Sequence, residues 1–247
     1  MTELLDAILA GLPEGVVRTT VVGRRWTAAV VEVQGIRRCG LAATWWLPED
    51  EAAPVSLPID GSPARALANE LRQARGARAS LAAATVNALL PPARKQWEPD
   101  RLEDVIRRLG AGRSVVMVGH FPFVEPLRSQ VGSLTVLEEH PRPGDLHASA
   151  AREVLPGAEV VVITGMSFVN RSLTELLSLC STRARVVIAG PSTPLSPVMF
   201  EHGVHRLCGA IVRDEEAVLR AVAAGEGFHK VHQAGVDLVT LSADGLA

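Results

Sequence analysis

Cysteine is scarce in this chain: Cys39, Cys180 and Cys208 are its only three, and no two of them stand in a C-x-x-C spacing. That excludes a disulfide framework and a thiolate zinc site, and it fits a reducing cytoplasm. An excess of one charge is lacking too. Lys and Arg total 25 against 27 Asp and Glu, a formal net charge of -2, so the electrostatic footprint of a nucleic-acid binder is absent. No apolar run reaches the roughly 18 residues that a bilayer span requires. The opening segment MTELLDAILAGLPEGV carries Glu3 and Asp6 and no positive start, the pattern of an amphipathic helix and not of a signal peptide. No serine sits in G-x-S-x-G, and Cys180 and Cys208 fall in a helical and a strand pattern, so nucleophilic hydrolase chemistry has no support. Repeats and low-complexity tracts are missing. What is present is a 247-residue chain that is 47% hydrophobic, enough for one large core or two modest ones. The expectation is a soluble cytoplasmic protein with no nucleic-acid or membrane partner.

Two prolines and a short charged patch in Leu89-Leu90-Pro91-Pro92-Ala93-Arg94-Lys95-Gln96-Trp97 place a domain boundary, with one unit over 1–92 and a second over 93–247. In the first unit Val16 to Thr20, Arg25 to Val33 and Arg37 to Thr44 read as a small antiparallel meander with Gly35 at a turn. Helices follow around Pro63 to Arg75 and Ala79 to Leu89, with Ser62 as N-cap and Pro63 as the first helical residue. In the second unit, apolar runs alternate with helical patterns. The strands are Ser114 to Val118, Leu134 to Glu138, Val160 to Thr164, Arg185 to Ala189 and Arg206 to Val212. Val236 to Leu241 reads either as a returning edge strand or as a tail. Runs such as Val160-Val161-Val162-Ile163 lack polar alternation, which predicts a parallel sheet covered on both faces. The fold class is therefore α/β: a small α+β N-terminal domain followed by a Rossmann-like, doubly wound parallel sheet.

Ligands of such a sheet bind beyond the carboxyl ends of the strands. The segments there are Gly119-His120-Phe121-Pro122-Phe123, the Glu138 to His147 stretch, Thr164-Gly165 to Asn170, and Gly190-Pro191-Ser192-Thr193-Pro194. The G-x-G-x-x-G turn of a dinucleotide site is missing, because bulky residues follow Gly119. Glu138, 19 residues after Gly119, stands where such sheets carry an acid for ribose hydroxyls, or else is a solvated strand-end carboxylate. His120, fixed by the following Phe121-Pro122, is placed to ligate a metal, to move a proton, or merely to satisfy a loop carbonyl. His140, Asp145 and His147 share one loop beside Glu138. Mixed imidazole and carboxylate sets suit borderline divalent ions, yet no H-x-x-x-H spacing unites two imidazoles, and surface exposure is the default for His140 and His147. Ser192 and Thr193 either hold an anion or cap a helix starting near Pro197. Asn170 and Ser172 face the same choice, with capping the default for Ser172. His202, His205, His229 and His232 lie away from the ligand edge and read as structural or exposed. Trp45, Trp46 and Trp97 read as core or interface packing.

Val118-Gly119-His120-Phe121-Pro122-Phe123, the Glu138 strand end, Pro143-Gly144-Asp145, Ile163-Thr164-Gly165 to Asn170 and Gly190-Pro191-Ser192-Thr193-Pro194 together resemble the putative heavy-metal chelation domain, over about Ser114 to Asp214. Gly23 to Ala28, Gly40-Leu41-Ala42 and Thr85-Val86-Asn87-Ala88-Leu89 resemble that family's companion N-terminal domain, which is similar to the enolase N-terminal fold. The resemblance implies roles in metal handling or in biosynthesis of metal-chelating small molecules, such as cobalamin precursors or siderophores. It makes Gly119, His120, Glu138, Asp145, Thr164, Gly165, Asn170, Ser192 and Thr193 the best site candidates; Phe121 and Pro122 join them as expected ligand-binding residues of the His120 loop, and His120, Glu138 and Asp145 are the expected metal ligands.

Two functions follow. In the first, a divalent transition metal or a metal-chelating metabolite binds at the carboxyl edge, with Ser192-Thr193 holding a carboxylate. The alternative is a transferase or oxidoreductase of small-molecule biosynthesis that uses a nucleoside cofactor such as S-adenosylmethionine, with Glu138 on the ribose and His120 as acid or base. A homo-oligomer is compatible with either.

Overall fold

The structure, a computed structural model, describes residues 3–52, 55–58, 60–91 and 101–243. The boundary stretch from Pro92 to Trp97 lies outside the described residues. Helix α1 (Glu3–Ala10) leads into three antiparallel strands, β1 (Val16–Val22), β2 (Trp26–Val33) and β3 (Ile36–Ala43), in the order β1-β2-β3. The β2–β3 register closes on Val33 opposite Ile36. Gln34 (φ 52°) and Gly35 (φ 76°) form the two-residue turn with both φ positive, the geometry that matches strand twist in a tight hairpin. After the short α2 (Pro48–Ala52) come α3 (Ala64–Asn69) and α4 (Gly76–Leu89).

Proline 63 stands outside the helix it was expected to open. Ser62 O accepts from Val17 N at 2.8 Å and Val16 bridges Pro63, so this dipeptide is held extended against β1 and α3 starts one residue later, with no side-chain cap. The alanine-rich α4 is buried on nearly every side. It covers one face of the small sheet, while Ala28 and Leu41 on the other face pack with Val218, Val222 and Val231 from the C-terminal helices.

The second half begins with α5 (Leu102–Gly110), which sequence patterning did not assign. Its Glu103 and Asp104 in the first turn and Arg107 and Arg108 in the last suit the helix dipole, and buried Val105 and Ile106 form its apolar stripe. Then follow β4 (Ser114–Val118), α6 (Val124–Arg128), β5 (Ser133–Glu138), the two-residue β6 (Leu146–His147), α7 (Ala151–Val154), β7 (Val160–Thr164), α8 (Met166–Val169) and α9 (Leu173–Leu179). The chain ends with β8 (Arg185–Ala189), β9 (Val204–Val212), α10 (Glu215–Ala223), α11 (Phe228–Gln233) and β10 (Val236–Ser242).

These strands form one seven-stranded sheet in the order β10-β9-β8-β7-β4-β5-β6. All neighbours are parallel except β10, which returns antiparallel to β9 and settles the Val236 run as an edge strand. The expected mixed architecture is present: a small antiparallel sheet and a larger, mostly parallel one. Alternate residues serve opposite faces. Val116, Val161, Ile163, Val186 and Ile188 join the core that also contains α1, α3 and α4, whereas Val115, Met117, Val160, Val162 and Val187 pack with Ile106 of α5 and Val124 and Leu127 of α6. The unalternating strands are thus buried on both sides. Trp45 packs on the larger core, but Trp46 is 40% exposed, its indole N–H donating to Arg24 O at 2.7 Å. Among the described residues no helix is long and apolar enough to cross a membrane.

Candidate functional site

The strand order reverses direction between β4 and β7, the place where doubly wound sheets open a crevice beyond their carboxyl ends. Gly119 continues the ladder beyond β4, its N–H donating to Leu137 O at 2.9 Å. Its φ is +104°, and a Cβ there would meet Thr164 Cβ at 2.9 Å, so both the backbone angle and the closeness of β7 require glycine. The His120 N–H then donates to Glu138 Oε1 at 2.7 Å, and the Glu139 N–H reaches Glu138 Oε2 at 3.2 Å. Glu138 is thereby a brace that fixes the start of the His120 loop on the end of β5.

The His120 imidazole is held as firmly. Its Nδ1 lies 2.8 Å from Asp145 Oδ2, and the Asp145 side chain is 0% exposed against 10% for His120. Asp145 sits in a closed turn: its N–H donates to Arg142 O at 2.9 Å, and the Arg142 N–H returns to Asp145 Oδ2 at 3.2 Å. The Arg128 guanidinium, anchored on Leu134 O at 3.1 Å, lies 3.7 Å from Asp145 Oδ1. Burial pushes the Asp145 carboxyl up, but the His120 and Arg142 hydrogen bonds and the charges of His120 and Arg128 outweigh it and hold the group below the ordinary aspartate value. An ionised carboxylate only accepts, so it places a proton on His120 Nδ1 and, in the neutral imidazole, leaves the ring's lone pair on Nε2.

The remaining loops serve other ends. Phe121 and Phe123 stack at 5.5 Å, and Pro122 between them is exposed. Thr164 Oγ1 accepts from Met166 N at 3.3 Å. Asn170 Oδ1 accepts from both the N–H and the hydroxyl of Ser172, at 3.0 and 2.7 Å; Asn170, and not Ser172, organises the entry to α9. Ser192 Oγ accepts the Ala43 N–H at 2.8 Å, and Ser192 O accepts from Asn87 Nδ2 at 3.3 Å. Ser192 therefore fastens the edge to the N-terminal unit. Thr193 is 2% exposed and lies against Gly165, where a Cβ would stand 2.5 Å from Thr193 N. Neither hydroxyl is displayed as an anion seat, and the helix after them is a six-residue 3-10 turn, Pro197–His202.

The structure thus brings His120, Glu138, Asp145, Gly119 and Thr164 together, and groups Gly165, Ser192 and Thr193 under the N-terminal unit. Arg128 and Asn87 were missed as participants; a polar residue in the midst of the buried, alanine-rich α4 was the available signal for Asn87. Three of the other six histidines have separate employment. His147 Nδ1 accepts from Ser149 N at 3.2 Å, His205 Nδ1 accepts from Val186 N at 3.2 Å, and His232 stacks on Phe228 at 6.0 Å. A shallow recess of about 560 Å³ lies elsewhere, on the N-terminal unit, where Arg72 and Arg78 are already paired with Asp6 and Glu70.

A family model described as putative heavy-metal chelation matches residues 102–240, and a second of the same description matches residues 5–90. The chain belongs to the putative heavy-metal chelation family. Among solved structures, a protein of unknown function of the DUF364 family from Desulfitobacterium hafniense DCB-2 is 30% identical over 98% of both chains, with a TM-score of 0.82. Another family member of unknown function, from Pyrococcus horikoshii, shares the fold at 18% identity, covering 97% of this chain and 98% of its own with a TM-score of 0.79. No curated protein matches.

The family description implies a metal, and the donors can be tested for it. Among the described residues no three His, Cys, Asp or Glu side chains form a group that could hold an ion. His120, Glu138 and Asp145 are neighbours, and most of their donors are engaged: Glu138 serves two backbone N–H groups and Asp145 Oδ2 serves His120 Nδ1 and Arg142 N, while Asp145 Oδ1 is buried without a hydrogen-bond partner among the described residues. As they stand the carboxylates do not complete a three-donor site for a bare ion. They fit the task of orienting one imidazole.

Proposed function

We propose that the carboxyl edge around His120 binds a small metal-chelating metabolite, free or carrying a divalent transition ion whose donors come chiefly from the metabolite. The observation that supports this reading is the single imidazole held at Nδ1 by a fully buried carboxylate, which leaves one nitrogen lone pair for a ligand that brings the rest of its coordination with it. Gly119 lies close against Thr164 at the switch point, and Phe121 and Phe123 of the same loop stack on each other and pack on the sheet's core. For the nucleoside alternative, each Glu138 oxygen already accepts one backbone N–H and has one lone pair left for a ribose hydroxyl.

The test is a thermal-shift titration of chelator-stripped protein with Ni, Co, Cu, Zn and Fe salts. Each is added alone and then with one equivalent of iminodiacetate or acetohydroxamate, and S-adenosylmethionine and NAD are run in parallel. A ligand at about 100 times its Kd adds roughly 2.7 kcal/mol, a shift of about 5 to 10 °C for a chain this long. The expected result is a shift with an ion–chelator pair that is larger than with the ion alone and is lost in His120→Ala. A shift with S-adenosylmethionine that survives His120→Ala would overturn the reading in favour of the nucleoside-dependent enzyme.

A further inference from the structure

The seam between α4 and the β8–β9 connection contains two polar atoms that no described group satisfies. Asn87 Oδ1 and Thr193 Oγ1 are both buried and without a hydrogen-bond partner. Neither is free to turn toward another. Asn87 Nδ2 is spent on Leu41 O at 2.8 Å and Ser192 O at 3.3 Å, which orients the amide and directs its oxygen the other way. Thr193 is pinned by its own N–H on Gly190 O at 3.0 Å and by the backbone of Gly165 against it. Both residues line one recess of about 20 Å³, whose other walls include Leu90, Leu195 and Ile211.

A recess lined only by apolar groups stays dry, whereas one that exposes stranded acceptors and is as large as a water probe, above about 10 to 15 Å³, takes water. This recess has the volume for one molecule and no charged group to favour an ion. We propose that it is a binding site for a single water, which donates to Asn87 Oδ1 and exchanges a hydrogen bond with Thr193 Oγ1. The water ties α4 of the N-terminal unit to the edge of the larger sheet beside the Ser192 fastening. The site stands on its own atoms and does not depend on what binds at His120.

Two measurements test it. In a crystal structure that resolves ordered solvent, a density peak is expected within about 2.7 to 3.2 Å of both oxygens; an empty recess overturns the proposal. Thr193→Val keeps the shape and removes the hydroxyl. If water bridges the two residues, the variant breaks the bridge and its melting temperature falls by about 2 to 6 °C. If the recess is dry, the same change removes an unsatisfied hydroxyl and the melting temperature holds or rises, which overturns the proposal. Should the variant not fold, the wild-type density decides alone.

Discussion

Asp145→Asn isolates the charge that organises the candidate site while keeping its volume. In the folded protein Oδ2 accepts from His120 Nδ1 at 2.8 Å and from Arg142 N at 3.2 Å, with Arg128 3.7 Å from Oδ1. Hydrogen bonds to a charged group contribute about 1.5 to 3 kcal/mol each and neutral ones about 1 kcal/mol, so making both neutral costs about 1 to 3 kcal/mol. The half-exposed Arg128 pair adds no more than about 1 kcal/mol. The expected loss at pH 7 is about 2 kcal/mol, a fall in Tm of roughly 4 to 8 °C. The folded Asp145 titrates below its unfolded value, so its contribution is complete above about pH 4. It is lost as pH falls through the lower, folded value. Urea unfolding of both proteins between pH 7 and pH 2 reads this directly: the gap between wild type and variant should be full at neutral pH, begin to shrink below about pH 4 and close under strong acid. A gap that is independent of pH, or that widens on acidification, would refute the assignment of a buried, ionised carboxylate.

Two further outcomes follow from local geometry. Gly165 has φ -59° and ψ -15°, ordinary for any residue, so Gly165→Ala tests close approach alone; with Thr193 N 2.5 Å from the new Cβ, a loss of about 1 to 3 kcal/mol is expected in urea unfolding. Burial pushes the Cys39 thiol up to about 12 and the Cys180 thiol to about 11; iodoacetamide at pH 8 should therefore label both slowly in the native protein and fully after unfolding, and rapid native labelling would contradict that burial.

The strands of the parallel sheet were legible because a strand covered on both faces must be apolar at successive positions, as in Val160–Thr164 and Arg185–Ala189. Helix α5 was not, because its apolar stripe is carried by few residues among four charged ones from Glu103 to Arg108; two-residue β6 has no pattern to read. At the site, the identities of His120, Glu138 and Asp145 could be picked out from strand ends, but not the direction in which each carboxylate spends its oxygens. Spacing along a chain says which loop holds an acid. Whether that acid faces a ligand or a backbone N–H depends on a turn such as Arg142–Asp145, closed by a hydrogen bond between its own ends. Asn87 and Ser192 stand 105 positions apart, and their contact exists only because α4 packs over the sheet edge.

That allocation of oxygens constrains what can be chelated here. An ion bound by Glu138 or by Asp145 Oδ2 would share oxygens that already accept from the N–H groups of His120, Glu139 and Arg142 and from His120 Nδ1, which leaves Asp145 Oδ1 as the carboxylate oxygen without a hydrogen-bond partner among the described residues. Sharing those oxygens weakens hydrogen bonds to a charged group that contribute about 1.5 to 3 kcal/mol each, and it weakens the hold on the imidazole's tautomer. A ligand that carries its own donors meets only His120 Nε2 and leaves the whole brace intact. With one imidazole nitrogen and one unpartnered carboxylate oxygen, the arrangement offers a bare cation few donors, and this is why the comparison of ion alone with ion plus chelator, and not metal binding as such, discriminates between the two ways of reading the family's description.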